Sequence, residues 1–187
     1  MGPELRTEFC VREGLILRTF LDSDADEVFA VVKRNHDHLK PFMHWATPDY
    51  SIDSAREFIE KSIETAKERK GLGFGIFQEE RFIGSIGFVK FDWNVRKTEI
   101  GYWMDRAEEG KGIISDACRV LIGYAFDELH LNRAEIRCAA SNLRSAAIPE
   151  RLGFRKEGVL RQSEFRDGQL HDFIIYGLLA EEWPNRS

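Results

Sequence analysis

The sequence predicts an α/β (α+β) fold, a mixed and mostly antiparallel twisted sheet flanked by helices. Three observations predict it. Short apolar or alternating segments recur along the chain, separated by polar turns. Three of them, 72–76, 82–91 and 97–104, follow one another across short turns, which implies an antiparallel meander. A glycine-bearing loop then opens the strongest helical pattern and leads to another strand, which makes one strand–helix–strand crossover.

The elements follow in order. Leu15-Ile-Leu-Arg-Thr-Phe20 reads as a strand, and Asp22-Ser23-Asp24 supplies N-capping oxygens for a helix carrying Ala25, Val28, Phe29 and Val32. The stretch from Asn35 to Asp49 reads as a loop holding His36, His38, Phe42, His44 and Trp45. Ser54-x-x-Glu57 resembles a capping box ahead of Ala55, Phe58, Ile59, Ile63 and Ala66. After the meander, Ile113, Ala117, Val120, Leu121 and Tyr124 trace the apolar face of the next helix. Arg133 to Ala139 alternates strictly, with Ala134, Ile136 and Cys138 on one face and Arg133, Glu135 and Arg137 on the other. Asn142 to Leu152 reads as a short helix ending at Gly153. The segment from Phe154 to Leu179 reads as two strands around Arg166-Asp167-Gly168.

Composition bounds the function classes. The chain has 187 residues, 27 Lys+Arg against 32 Asp+Glu, and 43% hydrophobic residues. That length favours one domain with a sizeable core. The net charge of -5 argues against a nucleic-acid backbone as partner, while a local basic pocket for a small anion stays open. Cys10, Cys118 and Cys138 are too few and too far apart for a disulfide framework or a zinc site, so a reducing compartment is expected. No apolar leader or membrane span is expected, and neither is a metal at the three clustered histidines. The expected location is cytoplasmic.

The chemistry concentrates in Glu99-Ile-Gly-Tyr-Trp-Met104 followed by Glu108-Glu-Gly-Lys-Gly-Ile-Ile114. A strand runs into a glycine loop and then a helix N-terminus. Gly110 and Gly112 allow consecutive N–H groups to face outward, and the helix dipole adds partial positive charge there. The spacing suits a phosphate cradle, with Lys111 as an extra cation, and equally suits a tight turn that needs glycine. It is neither the P-loop spacing nor the dinucleotide fingerprint.

The element order, the Gly110-Lys-Gly112 loop, Asn142-x-x-Ser145 and Arg151-Leu-Gly-Phe154 together resemble the Gcn5-related N-acetyltransferase (GNAT) superfamily. Leu15-Ile-Leu-Arg18 with the cap that follows, Glu99-Ile-Gly-Tyr-Trp103 and His171-Asp172 resemble its RimJ/RimL-like branch of ribosomal-protein N-terminal acetyltransferases. The resemblance covers residues 11 to 183 and implies one N-acetyltransferase domain of that extent. It also implies a sheet splayed between the fourth and fifth strands counted above, Lys97–Met104 and Arg133–Ala139, and acetyl-CoA as donor. Tyr102, Trp103 and Met104 would border the pantetheine arm. Gly110, Lys111, Gly112, Ile113 and Ile114 would hold the pyrophosphate, and Asn142 would bond the cofactor. One position departs from the pattern: Ala107 stands where the superfamily loop usually has Gln or Arg.

The resemblance further implies Ser145 as the group that protonates the leaving thiolate and Glu164 as the base, with Glu99 its rival. Ser145 equally suits a cap for the helix starting near Asn142, and a strand glutamate is more commonly a solvated surface group. Phe42, His44, Trp45, Trp93 and Asp172 are the candidates for shaping the acceptor site. The expected acceptor is a primary amine, foremost a protein or peptide N-terminal α-amino group. A small-molecule amine acetyltransferase and a non-catalytic acyl-CoA-binding module are the competing expectations. A homo-oligomer, a dimer as in relatives of the branch, is expected.

Overall fold

The computed structural model describes residues 4–166 and 168–184. Eight strands form one sheet: β1 (Glu8–Arg12), β2 (Leu15–Arg18), β3 (Leu72–Gln78), β4 (Arg81–Asp92), β5 (Lys97–Met104), β6 (Arg133–Ala139), β7 (Arg155–Arg166) and β8 (Gln169–Leu179). Their order in space is β1-β2-β3-β4-β5-β6-β8-β7. Only the β5–β6 pair is parallel. The helices are α1 (Ala25–Arg34), α2 (His36–Leu39), α3 (Ile52–Lys67), α4 (Ile113–Gly123) and α5 (Leu143–Arg151).

Two layers cover the sheet. On one face α4 buries Ile113, Ala117, Cys118, Leu121 and Ile122 against Phe74, Ile86, Phe88, Ile100 and Ile136. Alternate side chains of a strand point to opposite faces, so the same strands also serve the second layer. There α1 and α3 place Val28, Val31, Val32, Ala55 and Ile59 over Phe20, Phe77, Phe82 and Trp103.

Several elements differ from the sequence reading. The strand β1 was not expected, so the expected seven become eight and the fourth and fifth become β5 and β6. Its five residues bury only Phe9, which faces Leu17 across the β1–β2 hairpin. The first expected strand ends at Arg18 rather than Phe20. Residues Asp22–Asp24 form a 3₁₀ turn in which the Asp24 carboxylate accepts from the Leu21 N–H and from Arg18, so it closes the turn rather than capping α1. The cap of α3 lies one turn earlier than Ser54: Ser51 Oγ accepts from the Ser54 N–H at 3.2 Å. His36–Leu39 is a short helix, not a loop, pinned by buried Leu39 and by the Asn35 carbonyl, which accepts from the His38 and Leu39 N–H groups. The helix after the glycine loop keeps α geometry to Gly123 and then widens into a π turn over Tyr124–Glu128. Of the turn expected at Arg166-Asp167-Gly168, Asp167 lies outside the described residues, while β7 and β8 pair on both sides of it.

What matters for the site is where β5 and β6 part. They pair only from Lys97↔Arg133 to Ile100↔Ile136. Beyond that, β5 stays with β4 as far as Gly84↔Met104, and β6 stays with β8 as far as Ala139↔Phe173. Each strand follows its outer neighbour, so Gly101–Met104 and Arg137–Ala139 present unpaired edges to each other. This is the splay expected between these two strands.

Candidate active site

The parting of β5 and β6 opens into a cleft of about 1020 Å³ walled by β5, the 109–115 segment, α5 and the α2 region. At one end stands the glycine loop. Gly110 (φ +78°) and Gly112 (φ +76°) both adopt the left-handed backbone, which costs other L-residues about 1–2 kcal/mol. A Cβ on Gly110 would meet nothing within 4 Å, so conformation and not crowding calls for glycine there. Gly112 is the N-cap of α4, and the first N–H to bond within the helix is Asp116 to the Gly112 carbonyl, at 3.0 Å. The N–H groups ahead of it have no intrahelical acceptor and sit at the positive end of the helix. They fit an anionic phosphate without further side-chain help.

The loop is held by buried acids. Asp105 takes Arg34 at 2.6 Å, and Glu108 takes Arg81 and Lys111 at 2.7 Å each. Burial works to raise the Asp105 carboxyl, yet Arg34 and the Ala107 N–H hold it below the usual carboxylate range. Lys111 and Arg81 do the same for Glu108. The Lys111 ammonium is therefore engaged by Glu108, and Lys111 is not among the residues that line the cleft.

Beside the loop, α5 forms another wall. Asn142 Oδ1 accepts from the Ser145 N–H at 3.1 Å, so Asn142 is the cap and Ser145 its partner one turn on. Ser145 Oγ donates to Tyr102 Oη at 3.3 Å, and Tyr102 Oη donates to the Ser145 carbonyl at 3.2 Å. These bonds cross the cleft from α5 to β5. Burial pushes the Tyr102 phenol well above its ordinary pKa, and burial also raises the Cys138 thiol on the facing edge of β6. Both stay protonated at neutral pH.

Of the residues nominated from the sequence, Tyr102, Trp103, Met104, Gly110, Gly112, Ile113, Ile114, Asn142, Ser145 and Phe42 come together around the cleft. The others lie elsewhere. Glu99 points to the opposite sheet face from Tyr102 and is paired with Lys90 at 3.4 Å and Arg137 at 3.5 Å. Glu164 accepts from buried Arg166 at 3.4 Å on edge strand β7. Asp172 Oδ1 accepts from the Gln162 N–H at 2.7 Å, and its carbonyl takes the Ala140 N–H at 2.9 Å. That pins the bulge of β7 just before Glu164, at the sheet end from which the Asn142 turn leaves. Trp45 packs on Trp103 with ring centroids 5.5 Å apart, and His44 is exposed beside it. Trp93 sits on the β4–β5 turn, where its indole N–H donates to the Arg69 carbonyl and its ring lies against Phe91.

The structure adds a cluster that sequence reasoning missed. Glu109, next to Gly110, pairs with His38 of α2 at 3.1 Å and with Arg144 of α5. The carboxylate joins both banks of the cleft mouth. Arg151 also lines the cleft and donates to Ser115 Oγ at 3.0 Å on the first turn of α4. Their partners are remote in sequence, so no local spacing announces them. Among the described residues, no group of three or more His, Cys, Asp or Glu side chains is gathered as a metal site. No helix among them is long and apolar enough to cross a membrane.

Comparison with known proteins agrees with this geometry. A family model described as an acetyltransferase (GNAT) domain matches residues 14–155. A Bacillus subtilis (strain 168) protein named "Putative ribosomal N-acetyltransferase YdaF" is 37% identical, over 92% of this chain and 95% of its own length. The ribosomal-protein-serine acetyltransferase of Escherichia coli (strain K12) is 28% identical, over 91% of this chain and 96% of its own. Among solved structures, the microcin C7 self-immunity acetyltransferase MccE, in complex with acetyl-CoA and AMP, superposes with a TM-score of 0.86 at 28% identity. That match covers 90% of this chain and 94% of MccE. RimL, a ribosomal L7/L12 α-N-protein acetyltransferase in complex with coenzyme A, shares the fold with a TM-score of 0.89 at 24% identity, over 94% of this chain and 99% of RimL. With its sheet parted beside a glycine-capped helix and a family match over most of its length, the chain belongs to the GNAT family and is an N-acetyltransferase.

Proposed function

We propose that the protein transfers an acetyl group from acetyl-CoA to a primary amine, the N-terminal α-amino group of a protein or peptide, by direct attack on the thioester. One N-acetyltransferase domain over residues 11 to 183 carries the reaction. The observation that carries the reading is the parting of β5 and β6 after Ile100 and Ile136, opening beside the Gly110–Gly112 cradle. The relatives' names, a putative ribosomal N-acetyltransferase and a ribosomal-protein-serine acetyltransferase, support a protein acceptor.

Acetyl-CoA supplies the activated acetyl thioester. The chain's own groups do the rest. N–H groups at Gly110 to Ile114 take the pyrophosphate, and the unpaired edge of β5 at Gly101–Met104 offers its backbone to the pantetheine arm. N–H groups on that edge also suit the charge that develops on the acetyl oxygen. Asn142 caps α5 and so fixes Ser145, whose hydroxyl donates to the leaving sulfur. Glu164 accepts the proton of the acceptor ammonium through water, with Asp172 holding the bulge that presents it. Glu99, already tied to two cations on the other face, is the rival base. Phe42 on the cleft wall and Trp45 behind Trp103 shape the acceptor side.

The test is acetylation of peptides beginning with Ser or Ala, read by mass spectrometry with N-terminally blocked controls. Acetyl on the free N-terminus alone supports the reading. Acetylation of an aminoacyl nucleotide and of no peptide would favour the small-molecule reading, which the AMP bound in the MccE neighbour brings forward. Coenzyme binding without turnover on any amine would mark a binding module. A Glu164→Gln loss of turnover that Glu99→Gln does not share assigns the base.

A further inference from the structure

Tyr102 and Ser145 meet across the cleft by two hydrogen bonds. The phenol donates to the Ser145 carbonyl at 3.2 Å and accepts from Ser145 Oγ at 3.3 Å. A phenol has one hydrogen, and this one has both oxygens of a single residue within reach. In the arrangement present, Ser145 Oγ donates to the phenol, and the Cys138 thiol lies within reach of the same hydroxyl. A second arrangement uses the same heavy atoms. The phenol hydrogen turns from the carbonyl to Oγ, and the serine hydrogen is released outward.

The surroundings favour such a pair. Ser145 is fixed by the cap, because Asn142 Oδ1 holds its N–H. Both side chains line the cleft, one from β5 and one from α5. Burial keeps the phenol neutral, so its hydrogen stays available for donation. Hydroxyls linked in series also polarise one another, which strengthens the outermost donor.

We propose that Tyr102 is a positioning residue for acyl transfer: its phenol hydrogen shifts from the carbonyl to the hydroxyl of Ser145 and turns the serine hydrogen onto the coenzyme sulfur. The inference rests on the acetyl-CoA reading of the cleft. In the shift both hydroxyls keep their protons, no covalent bond forms or breaks, and the sulfur gains a hydrogen bond.

Binding tests this without turnover. Coenzyme A and desulfo-coenzyme A are titrated calorimetrically at pH 10, where far more of the coenzyme is thiolate than at neutral pH. The wild type should hold coenzyme A roughly tenfold more tightly than the desulfo form, as fits one charge-assisted hydrogen bond. Tyr102→Phe and Ser145→Ala should each bring that ratio within about twofold. In turnover, Tyr102→Phe should lower kcat about tenfold at constant KM for acetyl-CoA, and cost nothing further in the Ser145→Ala background. Ser145→Thr keeps a hydroxyl and should remain sensitive to Tyr102→Phe. The proposal is overturned if Tyr102→Phe keeps the wild-type ratio, if the two losses multiply, or if Tyr102→Phe weakens desulfo-coenzyme A tenfold. In the last case the phenol is only part of the wall. A wild-type chain that binds neither coenzyme overturns the cofactor reading itself, a result separable from the others.

Discussion

Replacing Glu135 by glutamine should destabilise the protein at neutral pH, and the loss should fade in acid. Glu135 lies on β6, one residue before the strands part, with its side chain only 6% exposed. Arg133 and Arg137 both donate to it at 2.9 Å and Lys97 at 3.2 Å, while Arg133 also pairs with Glu157. Burial works against the charge, yet the three cations overcome it and bring the carboxyl from its ordinary 4.5 down to about 2. Each unit is worth about 1.4 kcal/mol, so the shift corresponds to roughly 3 kcal/mol. Breaking a buried ion pair from one side costs about 3–5 kcal/mol, and glutamine still accepts a hydrogen bond, so about 2–3 kcal/mol is expected. A depressed carboxyl contributes its stability above its unfolded pKa and loses it as pH falls through the folded one. Urea denaturation from pH 7 to pH 3 should therefore show a gap that is constant down to about pH 5 and narrows below it. A gap under about 0.5 kcal/mol at pH 7, or one that widens in acid, would refute the ion network around Glu135 as a source of stability.

Three further outcomes follow from the site. Gly112→Val forces a branched residue to φ +76° at the head of α4; acetyl-CoA affinity should fall more than about tenfold, with about 1–2 kcal/mol of stability, in calorimetric and thermal measurements. Lys111→Ala should change the KM for acetyl-CoA less than about threefold, because its ammonium is engaged by Glu108; a tenfold rise would place the ammonium on the phosphate. Trp93→Phe should leave kcat/KM within about twofold while lowering thermal stability, since the indole N–H, on the β4–β5 turn, donates to the Arg69 carbonyl after α3; a tenfold drop in kcat/KM would bring this turn into the acceptor site.

How much of this was legible depended on whether the cause was local. The loop at Gly110–Gly112 was readable because left-handed backbone selects glycine residue by residue. Alternation exposed β6, whose Ala134, Ile136 and Cys138 are buried on one face while Arg133, Glu135 and Arg137 form the ion network on the other. The strand β1 escaped because Phe9 is its only fully buried residue. His36–Leu39 escaped because a single apolar side chain, Leu39, holds it, and one residue has no period. Side-chain meetings across the sheet were out of reach. Tyr102 and Ser145 are 43 positions apart, and Arg144 and Glu109 are 35 apart, so only the parting of β5 and β6 brings the first pair together and only the docking of α5 the second. The sequence placed a helix start here and offered Ser145 as its cap; the Asn142 Oδ1 bond to the Ser145 N–H makes Asn142 the cap instead.

In the proposed function the parted strands and the glycine cradle hold acetyl-CoA. Calorimetric titration of the wild-type protein with acetyl-CoA, with ATP as the control anion, measures this. Saturable one-site binding between about 1 μM and 1 mM is expected, the range usual for enzyme substrates, with ATP far weaker. Absence of binding at millimolar acetyl-CoA, or equal binding of ATP, would contradict it and return the Gly110–Gly112 segment to a structural turn.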